Sequence, residues 1–370
     1  VRWIVFASAA CLAVIGCGPS SSTTSTPSST SSEPADRGGT AAGPSEPATR
    51  AGDEEAYKKE LTGRVELDGS STVYPISESL ANEFEKQFPN VAVTVGKSGT
   101  GGGFKRFTKG ELDISGASRP IKGDEFAACR EQGVQFLELP IAYDGLTVVV
   151  NPQNTWVDQL TVEELKQIFG APGAATWSDL RAGWPAEKIE VFSPGTDSGT
   201  FDYFKEEIVG KDGTVRSSMT TSEDDNVLVT GIAGTKNAIG FFGVAYWMEN
   251  KDKVKAVPVV NPKTGAAVLP MPDKVESGEY APLSRPLFMY VNAKSADRPE
   301  VEAFLEFAME RLPAMVGPVG YVGLPSTLYE RSNQRFVERL TGTSYLDAEA
   351  KARSGALESV YRADQRTDSK

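Results

Sequence analysis

Residues 193–204, SPGTDSGTFDYF, set Ser198, Gly199 and Thr200 directly before aromatic residues at helical spacing. Small residues there leave backbone N–H groups exposed where a helix begins, and the partial positive charge of that end suits an anion. The same residues also suit an ordinary N-cap, so one such stretch decides nothing. The plan recurs twice. Residues 64–69, RVELDG, alternate as a strand does and lead through Ser70, Ser71 and Thr72 into a helical pattern of Val73, Ile76, Leu80, Phe84 and Phe88. Residues 91–95, VAVTV, lead through Ser98, Gly99, Thr100, Gly101, Gly102 and Gly103 to Phe104 and Phe107. Those glycines let a backbone approach a ligand closely, but the Gly-Lys-Ser/Thr ending of a nucleotide P-loop is missing. Helix N-termini aimed at one point would neutralise a small dianion without a metal or a large basic patch.

Two more stretches carry charge. Residues 111–121, ELDISGASRPI, read as a strand ending at Ser118 and Arg119. That ending puts a guanidinium where ligands sit in open α/β sheets; a surface ion pair is the alternative. Residues 139–151, LPIAYDGLTVVVN, form a nearly continuous apolar strand interrupted by Asp144 and Gly145. A carboxylate in such a run needs a partner, unless it marks a turn or bulge.

The elements that position these residues have to fit in a chain of 370 residues, 39% of them hydrophobic, which is enough for two ordinary domains. A net charge of −12 argues against a general nucleic-acid or anionic-membrane binder, though local dipoles still attract a small anion. The sequence has no histidine, which removes Ser–His triads and the usual zinc ligands together. Cys11, Cys17 and Cys129 are too dispersed for a metal site. Residues 1–17, VRWIVFASAACLAVIGC, have the layout of a signal peptide, and Val14-Ile15-Gly16-Cys17 resembles a bacterial lipobox that would lipidate Cys17. Residues 18–60 are rich in Ser, Thr, Pro, Gly and Ala and read as a disordered tether.

The ordered set of these motifs, with AIGFFGVAYW at 238–247 and GYVGLP at 320–325, resembles the phosphate-binding lipoproteins of bacterial phosphate ABC importers. The resemblance runs from about residue 61 to about residue 340. It implies a type II periplasmic-binding-protein fold: two α/β lobes joined by two crossover strands, with the ligand in the cleft between them. The lobes would be residues 61–143 plus 284–345 and residues 144–283, with crossovers near 142–151 and 284–292, and residues 346–370 would form a charged surface helix or tail. Implied phosphate ligands are Ser71, Thr72, Thr100, Gly101, Ser118, Ser198, Gly199 and Thr200, with no cofactor and no metal. Two departures stand out. Arg119 occupies the place of a usual Asp, and no Arg precedes Ser198, so Arg119 is the expected charge and Asp144 the expected acceptor of the phosphate hydrogen, ahead of Asp197. The expected protein is a monomeric, lipid-anchored, extracytoplasmic receptor that feeds an ABC permease and binds no nucleic acid. Competing readings are another oxyanion such as sulfate or molybdate, a phosphate sensor, and an exported phosphatase. The last would need a nucleophile with a base, or a pair of metals.

Overall fold

The structure, a computed structural model, describes residues 48–196, 198–353 and 355–368. Cys17 and Asp197 therefore lie outside the described residues. The disorder expected as far as residue 60 does not hold for Ala48–Glu60, which form helix α1. Tyr57 of that helix sets its ring edge-on to Phe88, an apolar contact that composition alone does not register.

The chain then alternates strand and helix as β1 (Gly63–Gly69), α2 (Tyr74–Gln87), β2 (Val91–Val95), α3 (Thr100–Phe107), β3 (Ile114–Ala117) and α4 (Gly123–Glu131). The helical spacing read in the sequence is the buried face of α2: Ile76, Leu80 and Phe84 are fully covered, and Pro75 sits in the first turn, where its missing N–H costs nothing. β1 pairs in parallel with β2 and with β3, so the loops leading to α2, α3 and α4 gather at one edge of the sheet.

The long strand β4 (Phe136–Val150) is buried throughout. After β5 (Leu160–Thr161) and α5 (Val162–Phe169), the second lobe is built from β6 (Glu190–Pro194), α6 (Gly199–Phe204), β7 (Thr220–Ser222), α7 (Asp225–Gly234), β8 (Ala238–Gly243) and α8 (Val244–Glu249). Short strands β9 (Lys255–Ala256), β10 (Val259–Val260) and β11 (Ala267–Val268) precede α9 (Pro272–Glu276) and the strand β12 (Ser284–Asn292). Helices α10 (Pro299–Met315), α11 (Ser326–Val337) and α12 (Leu357–Val360) follow.

The main sheet runs β2-β1-β3-β12-β4-β8-β6-β7. β4 and β12 are antiparallel neighbours at its centre. The first part of β4 pairs with β12, whereas Leu146–Val150 turn to β8. These two strands carry the chain between a first lobe around β1–β3 and a second around β6–β8, which is the expected fold class. The stretch AIGFFGVAYW is β8 running into α8, and GYVGLP braces β4 through paired backbone bonds between Tyr143 and Val322.

One expectation fails at the C-terminus. Among the described residues of 346–370, only Leu357–Val360 are α-helical, and Leu346, Leu357, Val360 and Tyr361 are buried rather than on the surface. The Tyr361 hydroxyl donates to the Glu138 carbonyl at 2.7 Å, so the segment closes part of the core.

Candidate anion site between the lobes

Asp68, at the end of β1, fastens the first two loops together. Its Oδ1 accepts from the N–H of Gly69 at 2.7 Å and of Ser98 at 2.9 Å, and its Oδ2 accepts from Arg106 at 2.6 Å. Burial alone would push this carboxyl up, but the bonds from Ser98, Arg106 and Gly69 hold it below the usual carboxylate value. Gly69 has a φ of 138° and lies so close to the Gly116 carbonyl that a Cβ would sit 2.2 Å from that oxygen, so only glycine fits. Beside it, the Gly99 N–H donates to the Gly69 carbonyl at 2.7 Å. Thr100 Oγ1 lies 3.0 Å from Ser118 Oγ and accepts from the Ser118 N–H at 3.2 Å. The starts of α2 and α3 and the end of β3 thus form one group in the first lobe, bringing together Ser71, Thr72, Thr100, Gly101 and Ser118.

The second lobe contributes the start of α6, which continues through a π-helical turn, Lys205–Val209. Ser198 caps α6 by accepting from the Thr200 N–H at 3.2 Å. Gly199 meets the first lobe directly: Thr72 Oγ1 donates to its carbonyl at 3.4 Å, and a Cβ there would sit 2.7 Å from Thr72 N. Ser71 Oγ donates across the same seam to Asp202 Oδ2 at 3.2 Å. The helix starts of both lobes face each other, each with first-turn N–H groups that have no partner within their own helix.

Arg119, the expected charge, is already paired within the first lobe. That side chain makes a bidentate pair with Glu125, at 2.8 and 2.7 Å, and lies over the Phe104 ring. A carboxylate already occupies its fork. The cation at this seam is Arg285, the second residue of β12, which the sequence reading did not single out. Its NH2 group donates to Thr72 Oγ1 at 2.9 Å and its Nε to Asp144 Oδ2 at 3.3 Å. The register places Arg285 opposite Asp144, so the lone carboxylate of the apolar strand finds its partner on the neighbouring strand. Burial pushes the Asp144 carboxyl above its ordinary value, and Arg285 pulls it back. Beneath the guanidinium lies Tyr203 of α6, with the Arg285 Cζ 3.3 Å from the ring centroid. The sequence did hold a signal for Arg285: an Arg-Pro pair opening a buried apolar strand that mirrors the strand carrying Asp144.

Among the described residues, no group of three or more Asp, Glu or Cys is arranged to hold a metal ion, and no helix is long and apolar enough to cross a membrane. Cys129 is buried, and its thiol is pushed up to about 12 by that burial, so it offers no nucleophile.

Comparison with known proteins gives the family. Residues 22–311 match the family described as PBP superfamily domain. Protein SphX of Synechococcus elongatus is 46% identical over 303 residues, covering 81% of this chain and 88% of that one. The phosphate-binding protein PstS of Staphylococcus haemolyticus is 39% identical over 273 residues, covering 74% of this chain and 84% of its own. Among solved structures, a possible phosphate binding protein from Planctomyces limnophilus superposes with a TM-score of 0.74 at 47% identity, covering 76% of this chain and all of that one. An ABC-type phosphate transport receptor from Vibrio cholerae shares the fold, with a TM-score of 0.55 at 24% identity over 71% of this chain and all of its own.

Proposed function

This chain belongs to the PBP superfamily, among the PstS-type proteins, and from that premise we propose that it captures inorganic phosphate outside the cytoplasm and delivers it to an ABC importer. The observation that carries the reading is Arg285. It is a mostly buried cation, 15% exposed, standing where the starts of α2 and α6 meet, with Asp144 as its hydrogen-bonded carboxylate. A guanidinium has five donors in a fixed fork; two are engaged with Thr72 and Asp144, and the rest of the fork suits phosphate oxygens.

Binding in this reading proceeds by lobe closure. The first lobe presents Ser71, Thr72, Thr100, Gly101 and Ser118, and the second presents Ser198, Gly199 and Thr200. The dianion is attracted by the first-turn N–H groups and by Arg285, and water leaves as the seam closes. Asp144 keeps lone pairs beyond its single bond to Arg285, and it accepts the hydrogen of monohydrogen phosphate. Fully ionised sulfate brings no such hydrogen and meets the carboxylate as a repulsion. The chain acts as a receptor without turnover, held at the membrane as a monomer through a lipid on Cys17.

Calorimetric titration at neutral pH tests the ligand: phosphate binds, and sulfate in excess does not compete. Equal binding of the two anions, or no heat with phosphate, overturns the reading. Fatty-acid labelling tests the anchor, since Cys17→Ala is expected to lose both label and membrane association.

A further inference from the structure

Tyr203 lies face to face against the Arg285 guanidinium. Three groups define the orientation of the guanidinium. Asp144 holds the Nε edge, Thr72 holds the NH2 edge, and the Tyr203 ring lies under the plane with Cζ 3.3 Å from its centroid. Two of the three are tied to the chain on either side of Arg285. Asp144 is on the strand paired with β12, and the Tyr203 hydroxyl donates at 2.7 Å to the Pro282 carbonyl, three residues before Arg285. Tyr203 is itself 1% exposed and stands on α6, the helix whose first residues are Gly199 and Thr200. One side chain therefore joins the second lobe's anion-facing helix, the chain entering the crossover strand, and the plane of the charged group.

We propose that Tyr203 is a positioning residue that fixes the Arg285 guanidinium in the plane that phosphate requires, before the ligand arrives. The proposal rests on the reading of Arg285 as the phosphate-binding cation. An unsupported arginine would have to give up rotamer freedom on binding, and fixing it beforehand removes that cost from the binding step. A planar fork benefits from such support, whereas an ammonium, which has no plane, does not.

The test is a double-mutant cycle read by phosphate titration, with wild type, Tyr203→Leu, Arg285→Lys and the double variant. Tyr203→Leu is expected to weaken phosphate binding about tenfold, the scale of a desolvated cation–π contact. Tyr203→Phe keeps the ring and is expected to stay within about threefold of wild type, having lost one neutral hydrogen bond. On the Arg285→Lys background, Tyr203→Leu is expected to add less than about twofold, because the group it positions is gone. An equal loss on both backgrounds overturns the proposal and makes Tyr203 a support of the fold alone. A second readout needs no ligand. The Arg285 Nε–H resonance is expected to be shifted by the ring current in wild type and Tyr203→Phe, and to return to its ordinary position in Tyr203→Leu. An unshifted resonance in wild type overturns the stack as the positioning contact. A shifted resonance in a wild-type protein that fails to bind phosphate overturns the proposed function and leaves the stack standing.

Discussion

Strand β4 carries two buried carboxylates, Glu138 and Asp144, each matched with an arginine from elsewhere in the chain, and their surroundings differ. Glu138 is fully buried and accepts from the Tyr290 hydroxyl and the Ser344 N–H, both at 2.9 Å, from the Thr343 hydroxyl, and from Arg335 at 3.5 Å. Arg335 also donates to Ser344 and lies over the Tyr361 ring, 4.2 Å from its centroid. Every partner comes from the first-lobe side and the C-terminal segment. Among the described residues, the Asp144 carboxylate accepts one hydrogen bond, from Arg285, which reaches across to Thr72 and rests on Tyr203. Burial raises both carboxyls, and an arginine opposes the rise in both. The Glu138 cluster is hydrogen-bonded from several directions and belongs to the fold, whereas the Asp144–Arg285 pair draws on both lobes and keeps spare donors and acceptors. Spare capacity at a seam, rather than burial or charge, separates the proposed binding pair from the structural one.

The sharpest break in that comparison comes from removing each arginine's role in turn. Arg335→Met leaves Glu138 buried without its cation and is expected to cost about 3–5 kcal/mol of stability in urea unfolding. The molecules that remain folded should bind phosphate as wild type does. A loss of affinity with unchanged stability would make the Glu138 cluster part of the site.

Smaller effects are expected from the hydroxyls on either side of the seam. Thr72→Val and Ser198→Ala should each weaken phosphate binding by about 1–3 kcal/mol, the range for hydrogen bonds to a charged group. Wild-type affinity by calorimetry in both variants would place the anion elsewhere. Thr72→Val also takes away the Arg285 contact, so of the two it should cost more.

The smallest effect is a pH dependence. Because the folded-state value of Asp144 is raised, the folded state holds that proton more tightly than the unfolded chain does. Its contribution is complete below the unfolded value of about 3.9 and is lost as pH rises through the higher folded value. Asp144→Asn cannot titrate, so wild type should lose stability relative to this variant as pH rises over that acid range. The opposite slope would mean that Arg285 outweighs burial at this position.

Much of this was legible in local sequence. The strands before the three hydroxyl-rich loops, and the helices after them, follow from period-two and helical spacing over short stretches, and the buried face of α2 is the one that the spacing of Ile76, Leu80 and Phe84 predicts. Asp144 announced itself as a carboxylate in an apolar run that needed a partner. The identity of that partner was not legible locally, because Arg285 lies 141 residues from Asp144 and 213 from Thr72, and only strand register brings them together. Arg119 looked like the better candidate because it follows a strand directly, and only the structure shows that Glu125, six residues on, fills its fork. In the C-terminal segment, charged residues separate Leu346, Leu357, Val360 and Tyr361, and no single period reveals that all four are buried. Helix α1 is a charged stretch, ATRAGDEEAYKKE, with Tyr57 as its one large apolar residue, so no apolar period marks it.

The central claim is that the cleft's charge belongs to the pair spanning the seam and not to the arginine already paired within one lobe. Calorimetric titration of phosphate into Arg285→Met and Arg119→Met, side by side, tests it most directly. Arg285→Met is expected to lose about 2–5 kcal/mol of binding, much of it from leaving Asp144 buried without its cation, and added salt should not restore the loss. Arg119→Met is expected to stay within about 1 kcal/mol of wild type, the worth of a partly exposed pair. Near-normal binding in Arg285→Met together with a collapse in Arg119→Met would contradict the account.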